Sequence, residues 1–246
     1  MRVRDFATVL AVGILLVGSA TSSQAMDVSP MVAKITPVGS GASYRLTVRN
    51  TSSTPATVEI EIYRMQVDDK GARNLVPEEN DVVAFPVQSV IPPNRDQVVQ
   101  VRYLGDPVEE GRMYLVRAAQ LPINMQTMNA DGGAGADVQV AFTINTYVFV
   151  APARARASVE VGAVSRAPNG DILIDARNPG TGFAHLREAR FILTTADGKP
   201  HEIAAADVDV GEVSVIPGGG ARRIRVPAAL VSTLPPGDVT ASIALL

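Results

Sequence analysis

The stretch that decides the fold is residues 138–150, which read VQVAFTINTYVFV. Apolar and polar residues alternate through most of it, which is the pattern of a β-strand that buries one face. At about 3.3 Å per residue this strand would reach roughly 43 Å, whereas a typical strand has about 5 to 6 residues. One wall of a small sandwich does not easily cover a strand of that length.

Four apolar residues form a row along one face of this predicted strand: Val138, Val140, Phe142 and Ile144. In one interpretation the row faces the core of its own domain. In the other it forms an exposed apolar edge, which is an aggregation hazard unless another chain pairs with it. A loop of small and polar residues at 124–137 precedes the row and favours the second interpretation, since it lets the start of the strand move to meet a partner.

The rest of the chain carries shorter segments of the same alternating kind, separated by Pro, Gly, Asn and Asp. In the first half the predicted strands are 44–49, 58–63, 98–103 and 113–121. In the second half they are 158–164, 172–177, 186–195, 208–216, 223–226 and 239–245. Because no segment has a convincing helical stripe, we predict an all-β protein of two immunoglobulin-like β-sandwich domains.

The first 25 residues differ from the rest of the chain. Arg2 and Arg4 precede an apolar run at 6–17, and Ser23-Gln24-Ala25 supplies the small residues of a cleavage site before Met26. The run is too short to span a hydrocarbon core of about 30 Å, so it predicts a secretory signal peptide at 1–25 without stable membrane insertion. We therefore predict an exported protein, with an N-terminal domain at 26–152 and a C-terminal domain at 153–246.

Composition excludes several function classes. The chain has no Cys, no Trp, only two His and a formal net charge of −3. Thiolate metal sites, disulfide frameworks and cysteine nucleophiles are absent, and nothing favours binding to nucleic acid. His185 and His201 have no neighbouring ligands at metal spacing. We expect no metal, no cofactor and no enzymatic activity, since no nucleophile, base and orienting acid occur together.

Several motifs between residues 27 and 152 occur in the order found in a known family. They are Val28-Ser29-Pro30, Leu46-Thr47-Val48-Arg49-Asn50, Phe85-Pro86, Ile91-Pro92-Pro93, Arg117, Leu121-Pro122 and the long strand that ends near Pro152. In this ordered set the sequence resembles the PapD-like periplasmic chaperones of chaperone-usher pilus assembly. The resemblance implies two immunoglobulin-like sandwiches in a boomerang arrangement.

The same resemblance implies a function. Chaperones of this family bind, fold and cap a pilin that lacks its last strand by lending it their own long strand, and then deliver it to an outer-membrane usher. Here the lent row is Val138, Val140, Phe142 and Ile144. The alternative hypothesis is an exported structural or adhesive sandwich protein of a surface fibre. Whether the free protein associates with itself through its exposed strands stays open.

The family also uses two basic residues to anchor the terminal carboxylate of the pilin. The resemblance places the first on Lys34 and the second on Tyr147, which is not basic. A tyrosine hydroxyl donates a hydrogen bond but carries no charge near neutral pH. Three arrangements therefore stay open: Lys34 alone, Lys34 with Tyr147, or Lys34 with a cation from Arg154 or Arg156.

Overall fold

The computed structural model describes residues 26–121, 141–235 and 237–246. The predicted signal peptide, the predicted loop at 124–137, Val138 and Val140 all lie outside the described residues. Within the described ranges, no helix has both the length and the apolar character needed to cross a membrane.

Ten strands form two sheets that face each other across one core. The four-stranded sheet has the order β1-β3-β8-β6, and the other has the order β2-β10-β9-β4-β5 with β7 also paired to β4. The strands are β1 (Met26–Ser29), β2 (Val32–Ile35), β3 (Ser43–Asn50), β4 (Ala56–Val67), β5 (Arg73–Pro77), β6 (Val82–Phe85), β7 (Gln88–Ile91), β8 (Asp96–Tyr103), β9 (Arg112–Leu121) and β10 (Thr143–Val150).

Alternation in the sequence explains how these strands pack. Leu46 and Val48 of β3 are buried against the opposite sheet, whereas Arg49, on the other face of the strand, is exposed. In β4 the same period buries Val58 and Ile60. Apolar burial of about 25 cal/mol per Å² is the main stabilising contribution in a chain without disulfides.

The second half of the chain builds a second core from smaller sheets. Their orders are β11-β12-β17, β13-β16 and β15-β14-β18. The elements are β11 (Glu160–Arg166), β12 (Ile172–Arg177), β13 (Ala184–His185), β14 (Ala189–Thr195), β15 (Pro200–Ile203), β16 (Val215–Ile216), β17 (Ala221–Val226), the short helix α1 (Ala228–Val231) and β18 (Val239–Leu245). Together these sheets confirm the predicted all-β fold with two immunoglobulin-like sandwiches.

No sheet in the described chain combines strands from before residue 151 with strands from after residue 159. This separation supports the division between residues 152 and 153, which we keep as a proposal.

The predicted strand at 208–216 is wrong over most of its length, since only Val215–Ile216 is a strand. The reason is Arg222, which is only 1% exposed and points into the second sandwich. Its guanidinium donates hydrogen bonds to the carbonyl oxygens of Val210 and Val213. Carbonyl groups turned towards a buried cation are not available to a strand ladder, so the segment stays irregular.

The predicted strand at 186–195 is also interrupted. A 3-10 turn occupies Leu186–Glu188, and the regular strand starts at Ala189. Leu186 is fully buried in the second core, and its N–H donates to the carbonyl oxygen of Ser214. An apolar side chain in the core therefore produces the same sequence pattern here whether the backbone is extended or turned.

The turn at 68–71 of the first sandwich forms two backbone contacts with the second sandwich, one to a loop and one to β17. The N–H of Val213 donates to the carbonyl oxygen of Gly71 at 2.9 Å, and the N–H of Arg223 donates to that of Asp69 at 2.6 Å. Gly211 has a φ of +83°, and a Cβ there would collide with the backbone of the opposite loop. Glycine is required at this contact because both its backbone angle and its lack of a side chain are used.

Candidate functional site

The two halves of β10 have different neighbours. Residues 143–150 pair with β9 throughout, but only residues 147–150 also pair with β2, in parallel register. Among the described residues, nothing pairs with 143–146 on the side away from β9. The structure therefore has a strand whose second half is central in its sheet and whose first half is an edge.

The backbone groups on that edge can be identified from the ladder. The N–H of Tyr147 points towards β2, because it donates to the carbonyl oxygen of Met31 at 2.9 Å. Along a strand, alternate residues direct their N–H groups to the same side. Thr143 and Asn145 therefore direct their N–H groups away from β9, to the edge where an added strand would form its ladder.

Burial of the core-facing row decreases towards the start of β10. Val148 and Val150 are fully buried, and the buried Thr146 donates its hydroxyl to the carbonyl oxygen of Val116. Ile144 and Phe142 are half-buried and pack only at the margin of the first core. Phe142 and Ile144, the two members of the predicted contact row that the structure describes, thus lie where the strand begins to leave its own core.

Phe142 lies just before β10, whereas the sequence pattern predicts one strand from residue 138 onwards. The regular strand starts at Thr143. Phe142 nevertheless continues the ladder, since its carbonyl oxygen accepts a hydrogen bond from the N–H of Gln120 at 2.8 Å. Its side chain keeps the core-facing direction of Ile144, as the alternation predicts.

Lys34 and Tyr147 lie on neighbouring strands, on the face directed towards the second sandwich. Lys34 is opposite Phe149, and Tyr147 is opposite Val32. Lys34 and Tyr147 are thus offset by two residues on adjacent strands, which places their Cα atoms about 8 Å apart. Both side chains line a cleft of about 470 Å³ between the two sandwiches.

The second sandwich lines the other side of this cleft with His185, Glu188 and Glu212. The imidazole of His185 is half-buried and packs edge-on against the ring of Phe149, with the centroids 5.8 Å apart. Burial lowers the pKa of His185, the positive charge of Lys34 lowers it further, and Glu188 acts in the opposite direction. Neutral histidine is therefore favoured in the folded protein.

Arg73, at the start of β5, is a cation close to the cleft that the sequence pattern does not reveal. Its Nη1 donates to the hydroxyl oxygen of Tyr147 at 3.3 Å. Its Nε forms an ion pair with Glu212 at 2.7 Å. The turn at 68–71 was a signal that a return strand follows, but the contact partners of Arg73 are far away in sequence.

The linker cations are placed differently. Arg154 and Arg156 are both exposed, and neither lines the cleft that Lys34 and Tyr147 share. The backbone of Arg156 is held by the second sandwich, since its carbonyl oxygen accepts a hydrogen bond from the N–H of Gly182. Arg73 therefore contacts Tyr147 directly, whereas neither linker arginine lines the cleft.

Arg117 is a further cation on this sheet, and two of its three guanidinium nitrogens already have partners. Its Nε donates to Asn145 at 3.1 Å, and its Nη1 pairs with Glu61 at 3.2 Å. The guanidinium also lies 4.7 Å from the ring centroid of Tyr63. These contacts give Arg117 a role in joining β4, β9 and β10, where it fixes Asn145 beside the open edge.

In the part of the chain that the structure describes, no three histidine, aspartate or glutamate side chains are grouped so that they could hold a metal ion. What the site offers is an open strand edge, an apolar row and a cleft with cations.

Several solved structures share this fold. The chaperone CfaA of class 5 fimbriae superposes with a TM-score of 0.58 at 12% identity, covering 90% of this chain and 100% of that chain. The E. coli chaperone DraB superposes with a TM-score of 0.53 at 17% identity, over 88% and 87% of the two chains. The described chain has the fold of the fimbrial chaperones.

A structure of the Salmonella enterica SafA pilin with the SafB chaperone also matches this fimbrial-chaperone fold. Its TM-score is 0.53 at 15% identity, over 85% of this chain and 86% of that chain. No protein-family model matches the sequence, and no curated protein matches it either. The fimbrial-chaperone fold is thus shared with proteins of very different sequence, which is expected when alternation and burial, rather than particular residues, determine it.

Proposed function

We propose that the protein is a periplasmic chaperone that captures fibre subunits by pairing β10 with them, caps them and delivers them to an outer-membrane usher. The observation that carries the proposal is the first half of β10. There an open backbone edge and a core-facing apolar row occur together, at the place where the strand leaves its own core. A subunit that lacks one strand would gain a ladder from this edge and four apolar side chains from residues 138–144.

The contact row of the proposal is Val138, Val140, Phe142 and Ile144, which share one face of an extended chain. Burying four apolar side chains contributes a gross free energy of roughly 6 to 12 kcal/mol, before the cost of association. The row therefore supplies most of the binding free energy. It also determines register, because a shift of one residue would turn every side chain to the wrong face.

The second element of the proposal is the cleft, which receives the carboxylate at the end of the subunit chain. Lys34 supplies an exposed ammonium group there, and the hydroxyl of Tyr147 lies on the next strand. A charge-assisted hydrogen bond contributes about 1.5 to 3 kcal/mol. It adds less than the row, but it marks the end of the subunit chain and so aligns the two strands.

Export and the usher belong to the same proposal. The signal peptide predicted at 1–25 would deliver the chain to the periplasm, where it would bind fibre subunits before they reach the usher. Structures with this fold include a chaperone bound to a pilin, SafB with SafA, and one bound to a tip subunit, CsuC with CsuE. The proposed work uses backbone pairing and apolar burial, so it requires no reactive group.

The test is competition for the strand-shaped gap in the subunit. The exported protein is purified from the periplasm with its partner, and the co-purifying subunit is identified by mass spectrometry. That subunit is then produced in two forms, alone and fused through a linker to residues 138–150 of this chain, so that the second form fills its own gap. We expect capture of the first form only. Equal capture of both forms, or no co-purifying subunit, would contradict the proposal.

A further inference from the structure

Arg73 is held from two sides in the free protein. Its Nε pairs with Oε1 of Glu212 at 2.7 Å, and its backbone N–H donates to Oε2 of the same carboxylate at 3.4 Å. Its Nη1 donates to the hydroxyl oxygen of Tyr147. The three residues thus form a chain that runs from β10 through β5 to the second sandwich.

Glu212 brings a carboxylate to the cleft in which a partner's carboxylate is proposed to bind. Glu212 and Tyr147 both line that cleft, as does Lys34. Half of the Glu212 side chain is exposed, at 51%, so it can leave its position without a buried charge being created. The neighbouring Val213 fixes the loop by its hydrogen bond to Gly71, which keeps Glu212 close to Arg73.

We propose that Arg73 is the second cation of the carboxylate site and that Glu212 is an internal carboxylate that occupies it until a partner arrives. This inference rests on the proposed function and names a regulatory contact at the same site. When the terminal carboxylate of a partner enters the cleft, it replaces Glu212 on Arg73 and accepts a hydrogen bond from the hydroxyl of Tyr147. Glu212 then turns to solvent, and one contact between the sandwiches is released.

This exchange explains why a tyrosine occupies the position where a second cation is expected. The hydroxyl of Tyr147 accepts from Arg73 and still has its own proton to donate to a carboxylate. Arg73 thereby supplies the positive charge from a different strand, and the hydroxyl of Tyr147 supplies the hydrogen bond to the carboxylate in the cleft. An exchange of one carboxylate for another leaves the charge of the cleft unchanged, so the desolvation cost is small.

Acetate, the simplest carboxylate, tests the exchange without any fibre subunit. The Arg73 Nε–H resonance and the Tyr147 ring resonances are followed by NMR in the exported protein, with sodium acetate replacing sodium chloride at constant ionic strength. An intramolecular carboxylate competes at a high effective concentration. Glu212→Gln should therefore respond at an acetate concentration about tenfold lower than the wild type does.

Glu202→Gln is the matched control, because it removes a glutamate from another arginine pair, with Arg190, on the second sandwich. It should respond as the wild type does. In Arg73→Gln/Glu212→Gln the response of the Tyr147 ring should be lost. The inference is overturned if Glu212→Gln and wild type respond at the same concentration, or if the Tyr147 response survives without Arg73.

The result is independent of subunit capture. A normal capture test with no difference between wild type and Glu212→Gln in acetate would overturn the exchange and leave the chaperone proposal intact. A failed capture test with the expected acetate response would overturn the chaperone proposal and leave the carboxylate exchange established.

Discussion

The two halves of β10 share one sequence pattern but differ in their neighbours. Residues 147–150 lie between β9 and β2, and the core-facing Val148 and Val150 are fully buried. Of the described strands, only β9 pairs with residues 143–146, and the row at Ile144 and Phe142 is half-buried. The difference teaches that alternation determines which face of the strand is apolar, whereas the neighbouring strand determines whether that face stabilises the fold or remains for a partner.

The largest expected effect comes from changing the row where it leaves the core. Phe142→Ser/Ile144→Ser should weaken subunit capture by at least about 100-fold, since two apolar side chains contribute about 1.5 to 3 kcal/mol each. Titration of the captured subunit measures the affinity, and urea unfolding shows that the variant is folded. Capture within about threefold of wild type would show that the apolar row does not determine subunit affinity.

The opposite half of the strand gives the matched variant. Val148→Ser places a hydroxyl at a fully buried position and should lower the free energy of unfolding by about 3 kcal/mol. Because Val148 faces only its own core, the folded fraction should capture the subunit as wild type does. Urea unfolding and titration are measured together. If Val148→Ser lost capture while its stability was unchanged, the functional division of the strand would be wrong.

The next effect concerns the cleft beside β10. Lys34→Ala should weaken capture by about 30-fold, since one charge-assisted hydrogen bond contributes about 2 kcal/mol. Arg154→Ala is the control, because this exposed linker cation does not line the cleft. The two variants are compared in the same titration. Equal and negligible losses would reject Lys34 as the carboxylate anchor.

The smallest expected effect is a pH dependence that originates in the same cleft. Burial and the charge of Lys34 hold the pKa of His185 below its usual value of 6.5. Below pH 6.5 the unfolded chain therefore binds more protons, so this contribution to stability is fully present above pH 6.5 and is lost as the pH falls towards the lower pKa of the folded state. Urea midpoints at pH 7 and pH 5 should differ more in wild type than in His185→Gln.

The other histidine provides the control for this measurement. His201 lies on β15 and does not line the cleft. His201→Gln should keep the pH dependence of the wild type. The opposite ranking of the two histidine variants would show that the pH dependence does not originate beside Lys34.

Local alternation was enough to predict much of the fold. Strands β3, β4, β8 and β9 lie close to their predicted positions, and the Asn-Gly and Asp-Gly pairs at 169–170 and 197–198, which favour turns, join consecutive strands. These features depend on neighbours in sequence, through side-chain period and turn chemistry.

Features that depend on distant residues could not be predicted in the same way. The segment 208–216 has the composition of a strand, but the buried guanidinium of Arg222 holds its carbonyl groups. Arg73 was missed as a site residue because its partners, Tyr147 and Glu212, are separated from it by 74 and 139 residues. Such contacts arise only when the sheets and the two sandwiches are assembled.

Amide hydrogen exchange along β10 tests the central claim most directly, because it reports on backbone pairing residue by residue. Thr143 and Asn145 direct their N–H groups to the open edge, whereas Tyr147 donates to Met31 of the same chain. The account predicts fast exchange at Thr143 and Asn145 in the free protein and exchange slowed by about 100-fold or more in the subunit complex. Tyr147 should exchange slowly in both states. Unchanged exchange at Thr143 and Asn145 in a stable complex would contradict strand donation by β10.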